Sequence, residues 1–202
     1  MTQLVEAATR LLQKSGFESM SMQQLADEAS VSIGLIYRYF SNKEEVLVAI
    51  IQDVLSAFAE KVPAAIMGAG PDPVEQVAAG FRAYCEIIDD RRHAAVLTYQ
   101  ESRTLSDGSL KEIQGEEIAT TKLLENPLAA GVASGAFVEI DTESVAYNLV
   151  LLAHAWALKH WYFAGQKDLD GYVREQTAFV LRSILAPQRH EEYAHLLRPG
   201  RG

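Results

Sequence analysis

Residues 21–43 read SMQQLADEASVSIGLIYRYFSNK, and the fold turns on how this stretch divides. Ser21 is a good helix N-cap. Gln24, three places on, gives the capping-box spacing in which each side chain bonds the other's backbone N–H. Met22, Leu25, Ala26 and Ala29 give the short helix that follows one apolar side. Ser30-Val31-Ser32 interrupts it, and Ser32 is placed to cap a second helix from Ile33 to Tyr39. Gly34, in the first turn of that helix, leaves room for another backbone to come close. Ser41 with Glu44 repeats the capping-box spacing and predicts the start of a third helix. Two short helices joined by a tight turn, the second facing outward, are the unit that enters a DNA major groove.

Outside this stretch the composition favours helix throughout. Alanine and aliphatic residues dominate, and the six prolines lie mostly between helical patterns. With 202 residues the chain suits one or two domains and can bury a substantial core. The net charge of −9 argues against non-specific binding to polyanions. Residues 1–46 carry four basic side chains (Arg10, Lys14, Arg38, Lys43) against six acidic ones. Charge alone would not make this a DNA binder. The motif outweighs it, because local placement of donors and helix N-termini can position phosphates on an acidic protein.

The single cysteine, Cys85, cannot form an internal disulfide and suits a reducing cytoplasm. Met1 leads directly into an amphipathic pattern, so no signal peptide is expected. The most apolar run, 145–163, contains Asn148, His154, Lys159 and His160, which predicts a buried helix of a soluble protein and no membrane span. His154 and His160 fall on different helix faces and no Cys/His cluster has zinc spacing, so no metal is expected. Nucleophile-elbow, dinucleotide and phosphate-loop motifs are absent. The carboxylate pairs at 44–45, 89–90, 116–117 and 191–192 read as solvated helix faces, and neither catalysis nor a cofactor is expected.

Leu4, Ala7, Ala8, Leu11 and Leu12 form the apolar stripe of a first helix that Gly16 can terminate. A long helix is predicted from Asn42 through Val62, ending or kinking at Pro63. Gly68-Ala-Gly-Pro-Asp-Pro is the clearest loop, and Asp72-Pro73-Val74-Glu75 starts a helix reaching about Asp89. Further helices are expected over 91–104, over 106–133 with an interruption near Asn126-Pro127, from Asp141 through Phe163, and from Leu169 to Leu185. The tail after Pro187 should hold one helical turn at most and fray. The helix after Asp141 is apolar almost all round: Tyr147, Leu151, His154, Leu158 and Trp161 make one stripe, Leu149, Leu152, Trp156 and Phe163 another. Two apolar faces imply packing on its own domain and on something else.

The run GFESMSMQQLADEASVSIGLIYRYFSNKEEVL, Gly16 to Leu47, resembles the N-terminal DNA-binding domain of the tetracycline-repressor (TetR/AcrR) family of bacterial transcriptional regulators. Gly16-Phe17, the hydroxyl at Ser21, Leu25-Ala26, Val31-Ser32, Gly34, Ile36-Tyr37, Tyr39-Phe40 and Asn42 to Leu47 carry the resemblance. It implies an all-α protein: an N-terminal three-helix bundle with a helix-turn-helix over 1–46, a larger helical ligand-binding and dimerisation domain over 47–187, and a tail over 188–202. The helix after Ser32 would be the recognition helix. Ser21, Ser32, Gly34, Tyr37, Arg38 and Tyr39 would then face phosphates or base edges, and Lys43 would match a phosphate-contacting lysine. Ile33 and Leu35 stand where polar or basic residues are common, which favours contact with thymine methyls and readout of DNA shape.

The same resemblance implies a homodimer built from two antiparallel helices of each chain, with Leu152, Trp156, Val173, Gln176, Val180 and Ile184 at the interface. A ligand pocket would be mostly apolar with a few polar groups. Tyr84, His93, Tyr99, Tyr147, Asn148, Leu151 and His154 are the candidates. The reading is a cytoplasmic, ligand-responsive repressor that binds a near-palindromic operator on double-stranded DNA and is released by a small, largely apolar effector. A helical small-molecule binding protein without sequence-specific DNA binding is the alternative, favoured by the acidic head and by Ile33 and Leu35.

Overall fold

Leu4, Ala7, Ala8, Leu11 and Leu12 do fall on one buried side of a helix, α1 (Thr2–Ser19). The computed structural model describes residues 2–198; among these the regular elements are helices, with one isolated bridge between Phe137 and Leu185. Gly16, at φ 73 and ψ 165, is the non-helical residue at which α1 kinks. A residue with no Cβ tolerates that positive φ. Helix α2 (Met22–Glu28) carries the expected capping box: Gln24 N donates to Ser21 Oγ at 3.2 Å and Ser21 N to Gln24 Oε1 at 2.8 Å. Ser30 takes the left-handed turn at φ 56, and Ser32 Oγ accepts from Leu35 N to cap α3 (Ile33–Tyr39).

The next helix, α4 (Lys43–Gly68), begins one residue away from the expected box. Asn42 Oδ1 accepts from Glu45 N at 3.0 Å, and Glu45 Oε2 accepts from Ser41 N at 2.8 Å. Glu44 is thereby left for another role. Helix α4 also continues past Pro63 and does not end there. The carbonyl that loses its partner is that of Ala59, on the exposed side, where water can replace the missing bond. Likewise α7 (Asp107–Ala133) passes through Asn126-Pro127 without interruption. Between them lie α5 (Pro73–Asp90), α6 (Arg92–Glu101) and a 3₁₀ turn, Ser102–Thr104.

The long apolar helix stops earlier than its pattern suggests. It is α8 (Thr142–Leu158), capped by Asp141; Lys159 leaves the helical conformation and a short α9 (His160–Phe163) follows. The chain continues through α10 (Leu169–Ile184), a 3₁₀ turn at Pro187–Arg189, and α11 (Ala194–Leu197). The expectation of a frayed tail is corrected here. Tyr193 is buried, and its hydroxyl donates to Asp72 Oδ2 at 2.7 Å. Asp72 already caps α5 through its other oxygen, so its second oxygen is free to hold the returning chain. Residues 199–202 of the expected tail lie outside the described residues.

The chain folds as two compact units. The first takes residues up to Ser56 together with 91–116. In it α1 packs on α2 and α6, and α2 on α3. The second takes 57–90 with 117 onward, and its core forms where α5 packs on α8 and α10. The division into compact units falls within α4 after residue 56, and 91–116 belong to the first unit. Helices α4 and α7 each contribute to both units.

Candidate nucleic-acid interface and effector region

Helix α3 is held from behind and open in front. Ile36 and Phe40 are buried, while Tyr37 is 56% and Tyr39 45% exposed, far more than core tyrosines allow. Ser32, Gly34 and Arg38 are exposed beside them, and Ile33 and Leu35 are half-buried. Ser21 and Ser32 use oxygen lone pairs for capping, which leaves each hydroxyl proton able to donate outward. Lys43, expected to match a phosphate-contacting lysine, also has partners within the head. Its Nζ donates to the carbonyls of Phe17 at 3.2 Å and Glu18 at 3.3 Å, and it stands 4.7 Å above the Phe17 ring. Because α1 ends at Ser19, the Phe17 carbonyl keeps only the Met20 N–H at 3.3 Å and the Glu18 carbonyl loses its helical donor, and the ammonium donates to both. Arg10 and Lys14 both engage Glu28; their hydrogen bonds hold its carboxyl below the usual range.

A pair of polar ties in the first unit was not legible in the sequence. Glu44 Oε1 accepts from Ser106 N and from Ser109 Oγ, both at 2.9 Å, joining the start of α4 to the start of α7. The Ser106 backbone bond, followed by those from the hydroxyls, lowers the Glu44 pKa. Asp53 Oδ2 accepts from Arg91 Nε at 2.8 Å just before α6. The signal that could have found the first tie is the Ser-x-x-Ser spacing opposite an acid displaced from its own cap.

In the second unit, Tyr84 and His154 are brought together. Tyr84 stacks on Phe58 at 3.8 Å between centroids, and the His154 ring lies 6.0 Å from Tyr84 and 6.5 Å from Phe58. The Tyr84 hydroxyl is 3.5 Å from Thr120 Oγ1. Burial pushes the His154 pKa down to about 4, so the ring is neutral at physiological pH. Phe58 and Thr120 belong to this cluster and were not anticipated, since each reads as one more core or capping residue on its own helix. The other candidates lie elsewhere. His93 and Tyr99 are exposed in the first unit, and Tyr147, Asn148 and Leu151 are exposed on α8.

Asn148 and Leu151 instead line a groove of about 330 Å³ between α8 and α10, with Leu152, Phe179, Val180 and Ile184. Three residues expected at an interface between subunits thus border this groove. Trp156 and Val173, expected there too, are used inside the chain: both are buried, and Trp156 Nε1 donates to Asp89 Oδ1 at 2.7 Å. Gln176 is half-buried. Apolar groups left outward on α8, α9 and α10 include Tyr147, Leu151, Leu158, Trp161 (78% exposed), Tyr162 and Phe179 (66%). Among the described residues no helix is long and apolar enough to cross a membrane, and no cluster of His, Cys, Asp and Glu is suited to a metal ion.

Comparison with known proteins bears on both units. Residues 4–50 match the family described as bacterial regulatory proteins, tetR family, and residues 70–184 match a tetracyclin repressor-like C-terminal domain. The HTH-type transcriptional regulator HbdR of Aromatoleum sp. (strain CIB) is 34% identical over 183 residues, covering 91% of this chain and 80% of that one. The HTH-type transcriptional repressor KstR2 of Mycolicibacterium smegmatis is 27% identical over 190 residues, covering 92% and 91%. Among solved structures, AibR in complex with isovaleryl coenzyme A and operator DNA superposes with a TM-score of 0.73 at 20% identity, over 89% of this chain and 95% of that one; at that identity it speaks to the fold.

Proposed function

The chain belongs to the tetR family of bacterial regulatory proteins, and from that membership we infer a ligand-responsive transcriptional repressor that binds a near-palindromic operator as a cytoplasmic homodimer. The observation that carries the reading is the outward face of α3. Its back is locked by Ile36 and Phe40, while Ser32, Gly34, Tyr37, Arg38 and Tyr39 stand clear of the core. A dimer presents two such helices, and successive major grooves on one side of a duplex are one turn apart. Weak contacts by each head then add through effective concentration. The outward apolar face of α8 and α10, with Leu151 and Phe179 on it, supports pairing of two copies there.

The effector is a small, largely apolar molecule held in the second unit, and the cluster of Phe58, Tyr84 and His154, apolar rings beside a hydroxyl and an imidazole, supports placing it there. Acyl thioesters are the class to test first, given the isovaleryl coenzyme A bound by AibR. Helices α4 and α7 each extend into both units, and Glu44 ties their first turns together. An effector that binds the two arrangements of these helices unequally shifts the dimer away from DNA by that difference in affinity, and by no more. Footprinting on the DNA flanking the protein's own gene is the test. A protected near-palindrome is expected, and its absence at every salt concentration tried would overturn the reading.

A further inference from the structure

Around α7 each residue advances about 100°, so Ile113, Thr120, Thr121 and Leu124 all fall within about 60° of Glu117. Those side chains are buried, and their sector is the inner face of the helix. Glu117 lies inside that sector, between residues packed one turn before it and one turn after, yet it keeps solvent-accessible surface. A side chain so placed borders space that water can enter on the inner side. Glu117 opens this stretch of the second unit, one turn before Thr120, whose Oγ1 is 3.5 Å from the Tyr84 hydroxyl.

The donors nearest to it along the helix are turned elsewhere. Thr120 Oγ1 and Thr121 Oγ1 donate to the Glu117 backbone carbonyl, at 2.8 and 3.0 Å. Among the described residues none donates to the carboxylate, and the protein around it raises its pKa with no opposing contact. The helices that meet at Phe58, Tyr84, Thr120 and His154 carry Lys61, Arg82 and Lys122 as their cations within the second unit. Lys61 pairs with Asp90, Arg82 pairs with Asp170, and Lys122 is exposed on the outer side of α7. His154 is neutral. We propose that the Glu117 carboxylate sets the effector class: it accepts from an N–H or O–H group at the inner end of an apolar ligand and turns anions away. The inference rests on the effector placement above and adds what the ligand must carry. A bound donor supplies the partner that the fold withholds, whereas a ligand carboxylate meets like charge in a confined site. A thioester is uncharged at its acyl end and the acid released from it is an anion, so the same contact separates the two.

The test uses the full-length protein and two fluorescent probes with one apolar body: N-phenyl-1-naphthylamine, neutral with an N–H donor, and its 8-sulfonate, permanently negative. The wild type is expected to bind the amine roughly tenfold more tightly, or better. Glu117→Gln, of the same shape without the charge, is expected to close most of that gap, mainly by strengthening sulfonate binding. Should that variant fail to fold, Glu117→Met is read the same way. Glu112→Gln removes an equal charge from the outer side of α7 and should keep the wild-type ratio. A wild-type ratio near one, a ratio that Glu117→Gln leaves unchanged, or one that Glu112→Gln moves as far overturns the inference alone. Binding of neither probe overturns the placement of the effector as well, while footprinting reads the DNA part separately.

Discussion

His154 offers a measurement of the second unit's interior that needs no knowledge of the effector. Its ring sits on α8 beside the stacked Phe58 and Tyr84, and burial lowers its pKa from 6.5 to about 4. The unfolded chain protonates first on acidification, since its histidine titrates near 6.5. Stability from the neutral ring is therefore complete above about pH 6.5, falls between there and about pH 4, and is gone below. A gap of about 2.5 in pKa is worth about 3 kcal/mol, a sizeable share of the total for a domain of this kind. Other groups titrate in the same window, so the quantity to measure is a difference. Urea unfolding of the wild type and of His154→Gln at several pH values between about 4 and 7.5 isolates it. The wild type should lose about 3 kcal/mol more than the variant across that range. A difference between the two that does not change with pH would refute the reasoning, because it would mean that the ring titrates in the folded state as it does in the unfolded chain.

Replacing Tyr193 by Phe removes a hydroxyl held by Asp72 at 2.7 Å in a buried setting, and should cost about 1–2 kcal/mol in urea unfolding. Burial pushes the Asp72 carboxyl up, but the hydrogen bonds from Tyr193 and from the Val74 and Glu75 amides outweigh it and the net pKa is lowered. That contribution is present above the ordinary carboxylate range and lost as pH falls below it, so Tyr193→Phe should soften the acid limb of the stability curve. Gly131→Ala places a methyl group against the Phe137 ring and should destabilise by about 1–3 kcal/mol, read from the thermal midpoint. Tyr39→Phe should weaken DNA binding about three- to tenfold on any sequence with no change in stability, as loss of an exposed phosphate donor does; an unaltered affinity would remove Tyr39 from the interface.

The head of this protein was legible because its determinants are local. Ser21 with Gln24 and Ser32 before Ile33 each involve residues a few places apart, and both appear as read, whereas Gly16, expected to end α1, kinks it and the helix runs on to Ser19. Local rules also produced the errors. Pro63 and Pro127 were given the weight of helix breakers, yet tertiary packing carries α4 and α7 across both. Lys159 ends α8 with neither glycine nor proline to announce it. Periodicity separates the two faces of α8 but cannot say which is inside. Trp156 and Val173 turned out to be core, while Tyr147, Asn148 and Leu151 face outward. Likewise a tail with few apolar residues reads as loose until Asp72, more than a hundred residues earlier, is found under Tyr193.

The displaced cap at the start of α4 joins these errors to the function. Asn42 and Glu45 cap the helix between them, which frees Glu44 to reach the first turn of α7. A helix that needed Glu44 for its own cap could not be held this way. Because α4 and α7 both continue into the second unit, the effector response proposed above would run through a helix whose first turn is tied to the other. Removing the tie should leave DNA binding possible but loosen its link to the effector. Glu44→Gln keeps one acceptor oxygen and loses the charge, so it should weaken the bonds to Ser106 and Ser109 without unfolding α4. In anisotropy titrations its operator affinity should stay within about threefold of the wild type, while the concentration of an acyl thioester needed for release rises several-fold. Release at the wild-type concentration would show that the tie carries no coupling and that the long helices transmit the change by packing alone.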